Sequence, residues 1–501
     1  MERLATRVAR IARTAPQRIA LVDGERNIDY ATFWQQASGF AHHLRHAGVR
    51  PGDRVALVLP NRIEAAVALY GIWLAGGVAA PLNAQARSRD FLPWLRHAGA
   101  CVVVHEAGHR DMEQTLAQWN DGTAPSAIVL DAGAGLPVAE GSADWPEIEA
   151  DDTLAQLLYT SGTTGEPKGV MLSHANLAAN TSAVIAYLEL AQDDVIVSVL
   201  PFYYAYGASV LHTHLACGAR IVLGPGMVFP IQVLDALQRH RATGFSGVPS
   251  TYVLLMDMLE RGGHDLSSLR YLTQAGGAMP PAVADRVHGL LPDARLFLMY
   301  GQTEATSRIS WLPPERRTDK RGSVGIPVQD TRWAIVLEDG RPAAIGEEGE
   351  VCVQGPGIML GYWNNAEATA AILRDGWLRT GDLGHVDEEG YLFLQGRRSD
   401  MIKTGAHRVH PTDVEEVIAE LPGIREVAVV GIDDATLGQV IKAYVVADEL
   451  APRAEDRIKA HCRARLAAYK IPRHITFVDA LPRTASGKVR RVQLTEQTAT
   501  S

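Results

Sequence analysis

The chain has 501 residues, of which 47% are hydrophobic and 21% are charged, and its formal net charge at pH 7 is -9. This length is typical of about three domain-sized units with a large buried core. The acidic balance argues against a general nucleic-acid-binding protein, which would usually be basic. The four cysteines form no CxxC pair and have no histidine at metal-ligand spacing, so we expect reduced thiols in a cytoplasmic protein.

Helical and strand-like patterns alternate through the first part of the chain. Phe33, Ala37 and Phe40 fall on one helical face, and residues 55–59 form a continuous apolar run typical of a parallel strand. The uncharged run from residue 65 to 82 is interrupted by glycines and a proline, so it predicts a buried helix and a strand instead of a membrane span. We therefore expect a doubly wound α/β sheet and a soluble protein.

The alternation resumes after residue 173. Strands are predicted at residues 195–200, 220–223, 244–248, 269–274 and 295–299. Polar or glycine-rich clusters follow three of them, at residues 201–207, 276–278 and 300–304. Ligands of such sheets gather outside the carboxyl ends of the strands, so these clusters are candidate site segments.

The last third of the chain changes character twice. Residues 323–395 are rich in glycine, glutamate and short β-like runs, which predicts a small β-barrel or a curled sheet. Thr412 with Glu415 three residues on predicts a helical capping box, and the strands around it predict a compact α+β unit. We place a domain boundary near Arg398 and Ser399, giving a large domain at 1–398 and a small one at 399–501.

One stretch, LLYTSGTTGEPKGVMLS at residues 157–173, has the composition of a phosphate-binding loop. Its glycines let backbone N–H groups turn inward, its hydroxyls add donors, and Lys168 supplies positive charge. It is not the common P-loop, because Pro167 stands five residues after Gly162, where that motif requires a second glycine. A flexible surface loop is the structural alternative for such a composition.

Residues Thr160–Gly169 resemble the phosphate-loop signature of the adenylate-forming superfamily, which includes acyl-CoA synthetases, peptide-synthetase adenylation domains and luciferases. Other motifs of that superfamily recur in the expected order over nearly the whole chain. The resemblance implies a large α/β domain followed by a small mobile C-terminal domain. It also implies ATP, Mg²⁺ and a small carboxylic acid as ligands.

Joining a carboxylate to ATP brings two anions together, so the site needs cations and donors aimed at the phosphates. Glu304 is the candidate carboxylate for Mg²⁺, and Thr303 is the candidate donor to the α-phosphate. In the superfamily the equivalent of Asp382 binds the ribose and that of Arg397 the ribose or phosphate. Taken alone, each has a structural alternative as a cap partner, a turn former or a surface residue. The residues that the resemblance places around the nucleotide are Thr160, Ser161, Gly162, Thr163, Thr164, Gly165, Lys168, Gly276, Gly277, Ala278, Tyr300, Gly301, Gln302, Asp382 and Arg397.

Lys488 lies in PRTASGKVRR, which composition alone would class as a solvated tail. The segment resembles the catalytic-lysine motif of the superfamily. The resemblance implies that Lys488 bridges the attacking carboxylate and the α-phosphate, and a flexible point charge suits that role. The candidate catalytic residues are therefore Lys488, Thr303 and Glu304.

The segment Tyr203, Tyr204, Tyr206 and Gly207 is the candidate acid pocket. Amino-acid-activating relatives carry an aspartate here and many acyl- or aryl-activating relatives carry a histidine. Tyr204 at this position disfavours an α-amino acid. The structural alternative is that the aromatic cluster is ordinary core packing.

A thioester-forming relative rotates its small domain about a hinge, which corresponds here to Ser399 or Asp400. Ala406 corresponds to a glycine beside the pantetheine tunnel and is small enough to admit that arm. We therefore expect an AMP-forming acid–thiol ligase with CoA as acceptor. The phosphopantetheine arm of a carrier protein is the second candidate acceptor. Three different functions compete with this interpretation: a luciferase-like oxidation of the adenylate, non-catalytic nucleotide binding, and simple ATP hydrolysis.

Overall fold

The computed structural model describes residues 2–119, 122–131, 135–139, 153–160, 167–405, 407–434, 437–448, 453–484 and 487–499. Its helices are α1 (Leu4–Thr14), α2 (Tyr30–His46), α3 (Ile63–Leu74), α4 (Ser88–Ala98), α5 (Arg110–Ala117), α6 (His174–Leu188), α7 (Ala205–Cys217), α8 (Pro230–Arg239), α9 (Pro249–Arg261), α10 (Pro281–Leu290), α11 (Ala366–Ile372), α12 (Pro411–Ala419), α13 (Ala454–Arg465) and α14 (Arg491–Ala499).

The strands are β1 (Ile19–Asp23), β2 (Arg26–Asp29), β3 (Arg54–Val58), β4 (Val78–Pro81), β5 (Ala100–Glu106), β6 (Ser126–Leu130), β7 (Leu154–Thr160), β8 (Lys168–Ser173), β9 (Val195–Ser198), β10 (Arg220–Leu223), β11 (Gly244–Gly247), β12 (Tyr271–Gln274), β13 (Arg295–Tyr300), β14 (Ser310–Leu312), β15 (Ser323–Pro327), β16 (Arg332–Val336), β17 (Gly349–Gln354), β18 (Gly361–Tyr362), β19 (Leu373–Arg374), β20 (Trp377–Val386), β21 (Leu392–Arg397), β22 (Ile402–Thr404), β23 (His407–Val409), β24 (Ile424–Asp434), β25 (Gly438–Ala447) and β26 (His474–Phe477).

The first sheet has the order β18-β8-β7-β4-β3-β5-β6. Strands β7, β4, β3, β5 and β6 are parallel, and β8 returns antiparallel to β7. Every residue of α3 is buried, because its one charged side chain, Glu64, is paired with Arg26 and Arg62. The predicted helix and strand between residues 65 and 82 are thus α3 and β4. Across the described residues, no helix is long and apolar enough to cross a membrane.

The second sheet places the predicted central strands side by side. Strands β13, β12, β11, β9, β10 and β1 are parallel neighbours in that order, and β2 closes the edge antiparallel to β1. Their carboxyl ends therefore share one edge of the sheet. The predicted alternation of helices and strands and the α/β fold are confirmed.

Beyond β13 the same sheet continues as the antiparallel strands β14, β15, β21, β20, β17 and β16. Four pairing steps separate β13 from β20, which would span roughly 19 Å in a flat sheet. The hydroxyl of Tyr300 at the end of β13 nevertheless donates to Asp382 Oδ2 on β20 at 2.6 Å. This part of the sheet is therefore strongly curled. Among the described strands no pairing joins its ends, so the curled sheet is observed and a closed barrel is not.

The third sheet consists of β23-β22-β25-β24, with β26 parallel to β25, and packs against α12 and α13. The predicted capping box at Thr412 is wrong. Helix α12 begins at Pro411 and its N-cap is His410, so Thr412 lies inside the first turn and cannot be the N-cap. The Thr412 hydroxyl donates to the Gln395 carbonyl instead, and Glu415 accepts from the Val429 N–H. Both side chains thus form hydrogen bonds that hold the helix against neighbouring strands.

Candidate active site

The three polar clusters predicted at strand ends lie on one edge of the second sheet. Residues 201–207 follow β9, residues 276–278 follow β12 and residues 300–304 follow β13. Only β11 separates β9 from β12, and β12 and β13 are direct neighbours. The edge thus gathers the segments that the sequence assigns to the acid, the adenine and the phosphates.

The ends of the phosphate-loop motif are paired with each other. Thr160 at the end of β7 and Lys168 at the start of β8 are register partners of an antiparallel pair. Ser161, Gly162, Thr163, Thr164 and Gly165 lie outside the described residues. The Lys168 ammonium lies 5.8 Å from the ring centre of Tyr362, whose hydroxyl donates to Glu304 Oε1 at 2.7 Å. Tyr362 therefore bridges the end of the loop to the candidate metal ligand.

A tight backbone arrangement sets the position of Thr303 and Glu304. Both lie in a short 3₁₀ turn, and the next hydrogen bond runs from the Ser307 N–H to the Ala305 carbonyl at 2.7 Å. Thr306, between Ala305 and Ser307, has φ 63° and ψ -52°. These are the values of a φ-positive γ-turn, a conformation that is rare for a β-branched residue. Its hydroxyl donates to the Gly357 carbonyl at 2.6 Å. Contacts to another segment thus hold the strained turn.

Tyr300, Asp382 and Arg397 form one polar chain at the start of this turn. Asp382 and Arg397 face each other across β20 and β21, and Arg397 Nε lies 3.3 Å from Asp382 Oδ1. Burial raises the pKa of Asp382, and the Arg397 charge and the Tyr300 hydroxyl oppose that rise. Asp382 is therefore a buried carboxylate held by two donors beside the cleft, which suits recognition of ribose hydroxyls.

The predicted adenine segment lies against the start of α9. Gly276 has φ +86°, and a Cβ there would be 3.2 Å from Val248 Cγ1. The Gln274 amide donates to the Gly277 carbonyl at 2.8 Å and fixes the segment. Gln302 Nε2 is buried and has no hydrogen-bond partner among the described residues. An unmatched donor beside this segment fits a nucleotide, whose ring nitrogens and phosphates are acceptors.

The predicted acid segment starts α7. The rings of Tyr203 and Tyr204 are 4.4 Å apart, and burial raises the pKa of the Tyr203 hydroxyl. Tyr206 donates to the Thr273 carbonyl at 2.9 Å. A Cβ on Gly207 would lie 2.1 Å from the Pro201 carbonyl oxygen, so close packing explains this glycine. The segment is thus anchored at Tyr206 and Gly207, whereas Tyr203 and Tyr204 form an aromatic pair before the helix.

A small polar cavity borders α7 behind this segment. It measures about 10 Å³, room for roughly one water molecule. Gln156 Nε2 and Oε1 and His212 Nε2 are buried without a partner among the described residues. Burial lowers the pKa of His212 to about 3, so its ring is neutral. The cavity is lined by Gln156, Leu158, Leu172, Leu177, Asn180, Thr181, Ala205, Ala208, Ser209, His212 and Thr306.

Lys488 reaches the same cleft from the third sheet. It lies at the end of a hairpin in which the Thr484 N–H donates to the Lys488 carbonyl at 2.8 Å. Arg483 braces this hairpin by donating to the Gly487 carbonyl and to Glu426. A Cβ on Gly487 would lie 3.0 Å from Val248 Cγ2, so the hairpin rests on the start of α9.

Three charged groups, Glu304, Asp382 and Arg397, act on the charge of Lys488. Lys488 is an exposed residue, yet partial desolvation by its neighbours lowers the pKa of its ammonium. The Arg397 charge lowers that pKa further, and the carboxylates of Asp382 and Glu304 raise it. The charge of Lys488 therefore interacts with Asp382 and Glu304, which is not expected of a freely solvated tail.

Contacts between the large and small units define this arrangement. His410 Nε2 lies 2.8 Å from Glu348 Oε1, and Arg425 Nη2 lies 2.7 Å from Asp257 Oδ2. The two hinge candidates, Ser399 and Asp400, share one 3₁₀ turn between β21 and β22. The tunnel candidate Ala406 lies outside the described residues.

The structure adds residues that the sequence patterns did not single out. Tyr362 on β18 orients Glu304, and Arg308, four residues after Glu304, is buried beside Tyr206. Neither belongs to a local motif, since each acquires its neighbours from segments far along the chain. Among the described residues, no group of three His, Cys, Asp or Glu side chains could hold a metal. A single carboxylate such as Glu304 is the usual protein share of a Mg²⁺ site completed by phosphate oxygens.

Comparisons with known proteins agree with this geometry. The model of the AMP-binding enzyme family matches residues 8–363, and that of the AMP-binding enzyme C-terminal domain matches residues 413–488. The chain belongs to this adenylate-forming family, and the predicted membership is confirmed.

Named relatives and solved structures cover nearly the whole chain. Feruloyl-CoA synthase from Amycolatopsis sp is 36% identical over 489 residues, covering 96% of each chain. The o-succinylbenzoate CoA synthetase of Bacillus subtilis, solved with the acyl-adenylate intermediate OSB-AMP, has a TM-score of 0.84 at 31% identity and covers 97% of each chain. The structure of that enzyme with ATP and a magnesium ion has a TM-score of 0.83 at 30% identity, covering 97% of this chain and 98% of the other.

The turn that carries Thr303 and Glu304 yields a stability prediction. A Cβ on Gly301 would lie 1.8 Å from the Ser307 carbonyl oxygen, so Gly301→Ala must displace the turn. We expect a loss of about 1–3 kcal/mol in the free energy of unfolding, measured by urea titration. Gly289→Ala is the matched control, because a Cβ there meets nothing within 4 Å inside α10. The control should be neutral or slightly stabilising, and equal behaviour of the two variants would contradict the steric argument.

Proposed function

We propose that this chain is an AMP-forming acid–CoA ligase that activates a carboxylic acid with ATP and transfers the acyl group to CoA. The observation that carries the proposal is a convergence of distant segments: Asp382 accepts from Tyr300 at the end of β13, Glu304 lies in the turn that follows, and the hairpin of Lys488 rests on Val248, which also borders Gly276. Relatives named as CoA ligases cover nearly its whole length, which supports CoA as acceptor. The predicted class of enzyme is confirmed by these relatives.

In the first step a carboxylate oxygen attacks the α-phosphorus of ATP, and the bond to pyrophosphate breaks. We assign to Lys488 the role of holding the carboxylate beside the α-phosphate, because its ammonium faces the cleft. We assign Thr303 to the α-phosphate and Lys168, with the loop 161–165, to the other phosphates. Cations and donors of this kind stabilise charge that develops in the transition state.

Glu304 is the residue that would hold Mg²⁺, with its carboxylate oriented by the Tyr362 hydroxyl. When bound there, the ion would neutralise phosphate charge and favour departure of pyrophosphate. We assign the ribose to Asp382, supported by Tyr300 and Arg397 on either side of its carboxylate. The adenine is assigned to Gly276, Gly277 and Ala278, next to Gly301 and Gln302.

In the second step the thiol sulfur attacks the acyl carbon, the bond to AMP breaks, and the thiol proton is released. We propose that residues 399–501 act as a mobile unit that turns about Ser399 or Asp400 between the two steps. The turn that holds both residues directly follows β21, where the large unit ends its last strand. Ala406 is proposed to border the thiol path. The four unpaired cysteines support a cytoplasmic location, which we also propose.

Product analysis tests the activity. Incubated with ATP, Mg²⁺, CoA and a panel of aliphatic and aryl carboxylic acids, the protein should release pyrophosphate and AMP only when a suitable acid is present. The thioester formed should equal the AMP released. ADP and phosphate as products would contradict the proposal, and so would nucleotide turnover that no acid stimulates.

Replacement of Lys488 tests its proposed role. Lys488→Ala should lower acid-dependent ATP–pyrophosphate exchange on the order of a hundred- to a thousandfold, because a charge that acts mainly in the transition state is lost. ATP affinity, measured by calorimetry, should stay within a few-fold. Lys459→Ala is the control, since that lysine pairs with Glu455 on α13. An exchange rate near that of the control would mean that Lys488 is a surface residue without a catalytic role.

Tyr204 should determine which acid is used. Tyr204→Ala removes one ring of the aromatic pair before α7, so the relative kcat/KM of small and large acids should change. The KM for ATP should not change, because the pair lies on the segment assigned to the acid. A uniform fall for all acids would make the Tyr203–Tyr204 pair a packing feature.

A further inference from the structure

Arg308 is a buried cation beside the assigned acid segment. Its exposed fraction is 4%, and it directly follows the strained turn at Thr306 that positions Glu304. Its carbonyl accepts a hydrogen bond from Asn180 Nδ2 at 2.9 Å, so the backbone here is fixed from α6.

Within the described part of the chain, the contacts of the Arg308 guanidinium are with neutral groups. Nη1 donates to Ser307 Oγ at 2.6 Å, Nε points to Met299 Sδ at 3.2 Å, and Cζ lies 4.1 Å from the ring centre of Tyr206. The Met299 sulfur is shared with the Tyr187 hydroxyl, which lies 2.9 Å away. Among the described residues, no carboxylate oxygen lies within 4 Å of this guanidinium.

Two partly buried arginines, Arg62 and Arg270, are paired differently. Arg62 pairs with both Glu64 and Glu106 at 2.6 Å. Arg270 pairs with the buried Asp194 at 2.6 Å. A buried cation normally requires such a partner, because a thioether, a hydroxyl and an aromatic face replace only part of its lost hydration. Arg308 is thus a buried cation without an ion-pair partner among the described residues.

The position of Arg308 indicates that its missing anionic partner would come from the acid substrate. Tyr206, which the guanidinium covers, lies on the segment assigned to the acid, and its hydroxyl is held by Thr273. Glu304 on the other end of the same turn accepts from the Tyr362 hydroxyl, and the ring of Tyr362 lies 5.8 Å from the Lys168 ammonium. The turn therefore presents its carboxylate to the nucleotide side and its guanidinium to the acid side.

We propose that Arg308 binds a second carboxylate of the acid substrate, so that the enzyme activates one end of a dicarboxylic acid while Arg308 holds the other. This inference rests on the proposed function and names its substrate class. A guanidinium suits the task, because its planar donors match a carboxylate in a bidentate pair.

A panel of matched acids tests the proposal. It consists of aliphatic α,ω-dicarboxylic acids of three to six carbons and benzene- or phenylacetic-based dicarboxylic acids, each with its neutral monoamide. Wild-type enzyme should use at least one diacid on the order of a hundredfold better in kcat/KM than its monoamide, mainly through KM. Arg308→Gln should lose most of this preference, and Arg308→Lys should retain part of it.

Controls separate substrate recognition from folding. The KM for ATP should stay unchanged in Arg308→Gln, and Arg286→Gln, an exposed arginine paired with Glu260, should keep the diacid preference. If Arg308→Gln does not fold, the wild-type comparison of diacid and monoamide decides alone.

Three results would overturn the inference. A wild-type preference for monoamides or simple monocarboxylic acids would show that no second carboxylate is recognised. An equal fall for all acids in Arg308→Gln would mean that Arg308 serves the reacting carboxylate or the fold. Absence of pyrophosphate release with every acid would instead refute the proposed function itself, and the inference with it.

Discussion

The hydrogen bond between Tyr300 and Asp382 holds the proposed nucleotide site together. Tyr300 ends the last parallel strand, whereas Asp382 lies four pairing steps away on the antiparallel extension of the same sheet. Only a strongly curled sheet brings the two side chains within 2.6 Å. Because Arg397 faces Asp382 on the adjacent strand, the curl delivers a carboxylate and a cation to the carboxyl ends of the parallel strands. The place where a doubly wound sheet binds ligands thereby gains charges that its own strands do not carry.

The cleft is arranged so that its charges are completed by a separate unit. Asp382 and Glu304 supply negative charge and Arg397 positive charge from the large unit, and Lys488 enters on a hairpin of the third sheet. Arg483 and Glu426 brace that hairpin from within the small unit, so the position of Lys488 is fixed to that unit. Contacts such as His410 with Glu348 hold the units in the arrangement that presents Lys488. The proposed role of Lys488 would therefore couple acid activation to the position of the small unit.

The turn from Thr303 to Arg308 joins the residues proposed for the two substrates. Gly301 leaves no room for a side chain against Ser307, and Thr306 adopts a φ-positive conformation held by Gly357. Such strain persists only where surrounding contacts enforce it, and it is common at functional sites. Its effect here is to direct Glu304 and Arg308 to opposite sides. In the proposed function, the Glu304 carboxylate would contact Mg²⁺ together with the phosphates. The Arg308 guanidinium would contact the second carboxylate of the acid.

The sequence by itself determined the family, the alternation of helices and strands and the segments that reach the site, because these are written in local periodicity and in motifs of fixed spacing. The boundary near residue 398 and the roles of Ser399 and Ala406 stay predictions. Only the tertiary structure decided that the antiparallel region is an open curl among the described strands, and that Thr412 bonds Gln395 instead of capping its helix. Only it showed Tyr362 on Glu304 and the neutral surroundings of Arg308. The physical reason is the same in each case: the partner of a hydroxyl or a charge is chosen by strand pairing and packing between segments far apart in the chain, which no local pattern records.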